Sequence, residues 1–198
     1  MNPREILDSL PLQNGHFCFE SGHHGDTWLD LELLCFDPDR VACLAAELSN
    51  KLRRCKIDIV CGPLVEGSFV ALMVASNLNA RFVYTEPKPA PSATGLYPVK
   101  YPLPGALRNK VVGKRVAIVN DVVNAGSAIM GTFASLKESG AQPVIIGALL
   151  VLGSAASAFA ASNALPLEAL AYGESRLWLP DHCPLCAKGV ALDRPCER

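Results

Sequence analysis

The residues best suited to chemistry fall in one short run, Asn120-Asp121-Val-Val-Asn124-Ala125-Gly126-Ser127. Val116, Ala117, Ile118 and Val119 precede it as an apolar run, and Ile129, Phe133 and Leu136 follow at i, i+4, i+7 spacing. That change of period predicts a buried strand, a short loop and a helix. A carboxylate thus stands at the end of a strand, and small residues open the helix. Ala125, Gly126 and Ser127 let a ligand approach the backbone, and the free N–H groups of a helix start can hold a phosphate. A carboxylate beside a phosphate site repels phosphate. It suits hydroxyl groups, which donate to it, or a hydrated magnesium ion. One phosphate plus vicinal hydroxyls describes a ribose 5-phosphate. The competing reading is a plain strand–turn–helix with Asp121 as a turn residue.

These residues need a frame to hold them. Asp37-Pro38 pairs an N-cap residue with proline at the first helical position. Val41, Leu44, Ala45, Leu48 and Leu52 then form one stripe, predicting a helix to about Arg54. Short strands are expected at 57–61 and 81–84, with an apolar helix over 67–78 between them. Beyond the 116–119 strand and the 126–139 helix, capped by Gly140, come a strand at 143–152, a helix at 154–163 and a strand at 167–171. Strands alternating with helices indicate an α/β fold, a mainly parallel β-sheet flanked by helices. Residues 87–105 hold six prolines and two glycines and keep neither period. A long structureless connection of this kind is usually functional or disordered.

The 198 residues suffice for one sizeable core, and with half of them hydrophobic the chain is globular rather than disordered. A formal net charge of −1 gives no reason to expect nucleic acid or an anionic membrane as partner. No basic stretch precedes an apolar run at the start, and the longest apolar runs, such as 145–153, are too short to cross a bilayer. A cytoplasmic protein is the expectation. The cysteines at 18, 35, 43, 55 and 61 sit in apolar segments and are read as reduced, buried thiols.

The 115–133 stretch resembles the signature of type I phosphoribosyltransferases: four apolar residues, an acidic pair, two apolar residues and a small-residue loop. Three more blocks are similar to the orotate branch of that family, in the same order. HFCFESGHHGDTWLDL (16–31) resembles the substrate-side N-terminal segment, CGPLVEGSFVALMVA (61–75) the diphosphate loop and its helix, and FVYTEPK (82–88) the start of the mobile catalytic loop. The chain is thereby identified as a divergent relative of the orotate phosphoribosyltransferases.

The resemblance implies a single domain over 1–198, with an α/β core at 36–172. A small hood is built from 1–35 and 173–198, the latter including a C-terminal extension. It implies phosphoribosyl transfer from phosphoribosyl pyrophosphate, with Mg2+, to a nucleobase, foremost orotate in pyrimidine nucleotide synthesis, by a homodimer. Asn120, Asp121 and the run Asn124, Ala125, Gly126, Ser127, Ala128 would hold the ribose and its 5-phosphate. Pro63, Glu66, Gly67 and Ser68 would form the diphosphate loop. Ser21, Gly22 and Trp28 would lie on the base side, and Lys88 and Asp121 would be catalytic. The segment 86–105 would close over the site and exclude water.

The departures share a sign. Asn120 replaces the first acid of the pair. Glu20 stands where the family often places a lysine, Glu66 where some members have one, and Tyr84-Thr85 where many have Arg-Lys. Positive charge is therefore missing where a polyanion must sit. Lys100, Arg108, Lys110 and Lys114 are candidates to compensate, with solvated surface as the plainer reading. Two further readings follow: a phosphoribosyltransferase for another base, or a non-catalytic regulatory protein that binds phosphoribosyl pyrophosphate or a nucleotide.

Cys183-x-x-Cys186 is a separate feature, and as half of a zinc site it makes Zn2+ a second candidate metal. His182 and Cys196 are the nearby residues that could complete it. A redox pair or a tight knuckle with free thiols are the other readings.

Overall fold

The computed structural model describes residues 5, 10–89 and 99–193. Five parallel strands form the central sheet: β3 (Ile59–Pro63), β4 (Arg81–Thr85), β7 (Arg115–Val123), β8 (Gln142–Leu152) and β9 (Leu167–Gly173), in the order β4-β3-β7-β8-β9. The order reverses between β3 and β7, so both chains leave the sheet at its carboxyl edge with a crevice between them. Open α/β sheets bind ligands at such a switch point.

Strand pleating divides the core in two. Ala117 and Val119 of β7, with Ile145 and Leu149 of β8, pack under α2 (Pro38–Leu52) and α3 (Glu66–Leu78). Val116 and Ile118, with Ile146 and Ala148, pack under α5 (Ser127–Glu138) and α6 (Ala155–Ser162) on the opposite face. Alternate residues of a strand buried on both faces give the continuous apolar runs seen in the sequence. The Asp37 side chain caps α2 by accepting from Arg40 N at 3.2 Å. Gly140 takes φ +74 behind α5, with Ala141 N donating back to Leu136 O, as a C-terminal cap requires.

A second, antiparallel sheet joins the two ends of the chain: β1 (Leu12–Cys18), β2 (His24–Leu29) and β10 (Leu177–Trp178), with β2 central. Of the 87–105 stretch, residues 90–98 lie outside the described residues. The flanking parts are more ordered than their composition suggests. β5 (Lys88–Pro89) pairs antiparallel with β6 (Val99–Lys100). Tyr101 and Leu103 are buried, and Leu103 N donates to Ser135 Oγ of α5 at 3.0 Å. Residues 101–103 of the segment expected to close over the site are thus anchored to α5. Among the described residues there are also two short helices, α1 (Leu31–Cys35) and α4 (Gly105–Arg108), a 3-10 turn at Pro180–His182 and a last turn, α7 (Pro184–Ala187).

Cys35, Cys43, Cys55, Cys61, Cys183 and Cys186 are free thiols; of the residues expected to be buried, Cys61 is, Cys35 and Cys55 are only partly so and Cys43 is exposed, while Cys18 is disulfide-bonded and departs from the expected reduced state. No helix among the described residues is long and apolar enough to cross a membrane.

Candidate active site

A cleft of about 260 Å³ opens at the switch point. One wall is the end of β7 and the start of α5, from Asn120 to Ile129. β7 runs past its expected end, so Asn120 and Asp121 sit inside the strand, 7% and 5% exposed. Asp121 Oδ1 accepts from Val122 N at 2.6 Å. Burial pushes the Asp121 carboxyl up to about 7, the hydrogen bond from Val122 opposes this, and the nearby Glu66 charge adds to the rise.

Gly126 is the residue before α5 and has φ +85, a conformation that costs glycine little and other residues strain. No side chain caps α5, so its first-turn N–H groups face the cleft with no intrahelical partners. Asn124 Oδ1, on the same wall, is buried without a hydrogen-bond partner. A buried acceptor left unpaired costs on the order of 1–3 kcal/mol, and a donor brought by a ligand would remove that cost.

The floor of the cleft is the loop after β3, with Pro63, Leu64, Val65, Glu66 and Gly67; its Leu64–Val65 peptide is cis. Gly67 is required by a close approach: a Cβ there would meet Asn120 Oδ1 at 2.0 Å. Ser68 is not on the wall. It is 4% exposed, and its hydroxyl donates to Val65 O at 2.6 Å, tying the start of α3 to the loop.

Asn120 shares in this bracing. Its Nδ2 donates to Val122 O at 2.8 Å while its Oδ1 lies against Gly67, so its amide is committed within the protein and does not simply face a ribose. An aspartate would turn a carboxylate oxygen toward the Val122 carbonyl. Asn120→Asp is therefore expected to lose on the order of 1–3 kcal/mol at neutral pH, seen as a lower denaturation midpoint. An unchanged midpoint would remove Asn120 from the brace.

The opposite wall comes from β2 of the antiparallel sheet and the turn before it, with Phe19, Glu20, Ser21 and Trp28, and from Tyr101. Trp28 stacks on Phe19 with ring centroids 5.8 Å apart and planes 14° apart, and its Nε1 donates to Asp30 Oδ1 at 3.3 Å. The pair presents a flat apolar surface suited to stacking a planar ring. Ser21 is buried, its hydroxyl 3.1 Å from His23 Nδ1. Gly22 serves the turn instead of the wall, with φ +81 and its N–H donating to Phe19 O.

Tyr101 and Phe19 escaped the sequence reading. Tyr101 Oη donates to Glu20 Oε1 at 2.5 Å, and Ser127 Oγ donates to the same oxygen at 3.4 Å. Tyr101 lies in the proline-rich stretch where no period holds; its aromatic–proline neighbours were the one hint of anchoring. Glu20, Glu66 and Asp121 line the cleft, and among the described lining residues there is no lysine or arginine.

Lys88 is placed elsewhere. The β5–β6 ladder holds it in a separate cavity of about 790 Å³, together with Lys100 and Arg108, and it pairs with Glu86 at 3.1 Å. Thr85 is fully buried, its hydroxyl 2.7 Å from that of Thr132. A lysine there would carry a charge into the core, so no cation works from this position. Tyr84 stacks on Phe82.

No family model matches the chain. It is 28% identical over 198 residues to an orotate phosphoribosyltransferase of Thermotoga maritima, covering 98% of this chain and 97% of that protein. Among solved structures, an adenine phosphoribosyltransferase from Thermoanaerobacter pseudethanolicus superposes with a TM-score of 0.68 at 18% identity, over 86% of this chain and 99% of that one. An orotate phosphoribosyltransferase from Aeropyrum pernix gives 0.61 at 21% identity, over 85% and 90%. The sheet order, the cleft at its switch point and these likenesses agree: the chain has the type I phosphoribosyltransferase fold and is similar over nearly its whole length to orotate phosphoribosyltransferases.

Proposed function

We propose that this chain transfers the phosphoribosyl group of phosphoribosyl pyrophosphate to a nucleobase, with orotate as acceptor, in pyrimidine nucleotide synthesis. The observation that carries the reading is the convergence, in one cleft, of the uncapped start of α5, the unpartnered Asn124 Oδ1 and the buried Asp121. In the reaction the C1–O bond to diphosphate breaks and its electron pair leaves on the diphosphate. A ring nitrogen of the base forms the new bond to C1 and gives up its proton. The transition state is oxocarbenium-like, so the site's task is to hold both groups in line and balance charge.

Residues Asn124, Ala125, Gly126, Ser127 and Ala128 receive the 5-phosphate on backbone N–H groups. Asp121 accepts from a ribose hydroxyl. The loop with Pro63, Glu66 and Gly67 borders the diphosphate. Trp28, Phe19 and Ser21 take the base. The carboxylates of Glu66 and Asp121 are oxygen donors that fit a hydrated Mg2+ arriving with the diphosphate, whose charge would supply neutralisation that no described lining side chain offers. A role for Lys88 at the reacting centre requires the β5–β6 ladder to carry it from its own cavity. The exposed Leu33 and Phe36 near α1, and Phe69 and Leu72 on α3, are the apolar surface suited to a homodimer. A cytoplasmic setting belongs to the same reading.

The test is release of diphosphate from phosphoribosyl pyrophosphate and Mg2+ with orotate, adenine, hypoxanthine and uracil in parallel. Release with orotate supports the proposal. Release with another base alone moves the acceptor. Tight binding without release by any base would instead support a regulatory binder, for which the absence of a cation among the described lining residues is the favouring observation.

Glu20 supplies a second check. Its carboxylate lies beside the start of α5, held by Tyr101 and Ser127, and opposes an incoming phosphate. Glu20→Gln should bind ribose 5-phosphate more tightly by on the order of 1 kcal/mol, the interaction of two charges about 4 Å apart in a hydrated site. Calorimetry that finds equal or weaker binding would place the phosphate away from Glu20.

A further inference from the structure

Four side chains that the proposed reaction does not use converge beside the antiparallel sheet. His16 comes from β1, His24 from β2, and Cys183 and Cys186 from the C-terminal arm; their donor atoms all lie within 4.8 Å of one another. His16 Nε2 is 3.1 Å from His24 Nδ1, 3.4 Å from Cys183 Sγ and 3.7 Å from Cys186 Sγ, and Cys186 Sγ is 3.2 Å from His24 Nδ1. A tetrahedral ion with zinc–nitrogen and zinc–sulfur bonds of ordinary length spaces its ligands roughly 3.3–3.8 Å apart. Those four pairs already stand near that spacing, and every pair lies within 4.8 Å.

The surroundings support the same conclusion. His16 Nδ1 lies 2.8 Å from Val190 O. A carbonyl can only accept, so Nδ1 carries the proton and Nε2 turns its lone pair to the cluster. This is how a metal-bound histidine is normally oriented from behind. The arm is also laced to β1 through its backbone: His16 N donates to Asp193 Oδ2 and Asp193 N donates to His16 O, each at 2.8 Å. His16, His24 and Cys183 are buried, while Cys186 is at the surface and leaves an entry path. His182 is the nearest histidine in sequence, yet it is exposed and absent from the cluster. Cys196 lies outside the described residues.

We propose that His16, His24, Cys183 and Cys186 form a structural Zn2+ site of the Cys2His2 kind. Two thiolates and two imidazoles closing a tetrahedron suit zinc and leave no open position for a substrate. The ion clasps the C-terminal arm onto β1 and β2. Those two strands flank the turn that carries Phe19, Glu20 and Ser21 into the cleft, so the clasp also sets the position of that wall.

The site is tested without reference to activity, so failure of the proposed reaction leaves it standing. Full-length protein purified under reducing conditions and supplied with zinc should hold about one zinc per chain. Cobalt exchanged into the wild-type protein should give the strong visible bands and thiolate charge-transfer absorption of a tetrahedral N2S2 site. Chelation should lower the melting temperature. His16→Ala, His24→Ala and Cys186→Ser should each weaken metal binding by about 10-fold or more, and His182→Ala should leave the stoichiometry unchanged. Reduced wild-type protein that takes up neither zinc nor cobalt overturns the proposal even if the variants fail to fold. So does loss of metal in His182→Ala alongside full retention in His24→Ala.

Discussion

Gly126→Val is expected to bind ribose 5-phosphate on the order of 100-fold more weakly than the wild type. The valine side chain at the head of α5 would stand over the N–H groups that receive the phosphate. Loss of two charge-assisted hydrogen bonds accounts for about 3 kcal/mol, and each 1.4 kcal/mol is about tenfold in affinity. The substitution also costs stability. Gly126 has φ +85, where a β-branched residue is strained, and the cost is of order 1–3 kcal/mol. Packing adds little, because the first atom a new Cβ would meet is the flexible Met130 Cε at 3.1 Å. Calorimetry and a thermal melt on the same sample separate the two effects. Binding at wild-type strength with a lowered melt would show that the loop bends the chain but does not hold a phosphate.

Asp121→Asn is expected to move stability and binding in opposite directions. The carboxyl titrates at about 7 in the folded protein against an ordinary value of 3.8. Between those values the folded state holds a proton that the unfolded state has lost, so Asp121 lowers stability progressively as pH rises through that window. The full cost, reached above about pH 7, is at most on the order of 4 kcal/mol. Asparagine keeps the acceptor for Val122 N–H and removes the buried charge. The variant should melt several degrees higher than wild type at pH 8, and the gain should vanish below pH 4, where both states of the wild type are protonated. The same change replaces a charged acceptor for a ribose hydroxyl by a neutral one and should weaken phosphoribosyl pyrophosphate binding by about 1–3 kcal/mol. A residue that serves only the turn would show no such opposition. A variant less stable than wild type at pH 8, with unchanged binding, would contradict the role given to Asp121.

Much of this arrangement was legible because local pattern and tertiary role coincide. The 116–119 run alternates between two cores, the 129, 133, 136 stripe faces one of them, and the small residues between form the loop at the switch point. Other parts were hidden for physical reasons. β1 and β2 lack clean alternation, since their register shifts between Asn14 and Phe17, and β10 is two residues long. Tyr101 and Leu103 belong to a proline-rich stretch whose order comes from α5, not from its own period. Lys88 was assigned by family likeness, and the β5–β6 pairing that holds it away from the cleft has no local signal. Proximity in the chain points from Cys183 and Cys186 to His182 and Cys196, not to His16 and His24. His16 stands 167 residues from Cys183 and reaches it only because the hood joins both ends of the protein.

The central claim is that the cleft between β3 and β7 takes the sugar phosphate. A crystal structure of the protein soaked with ribose 5-phosphate and Mg2+ tests it most directly, because the described residues also line a second cavity, of opposite charge. The account predicts the phosphate on the first turn of α5, with Asn124 Oδ1 newly partnered and a ribose hydroxyl on Asp121. A phosphate bound instead among Lys88, Lys100 and Arg108, with the cleft empty, would contradict it.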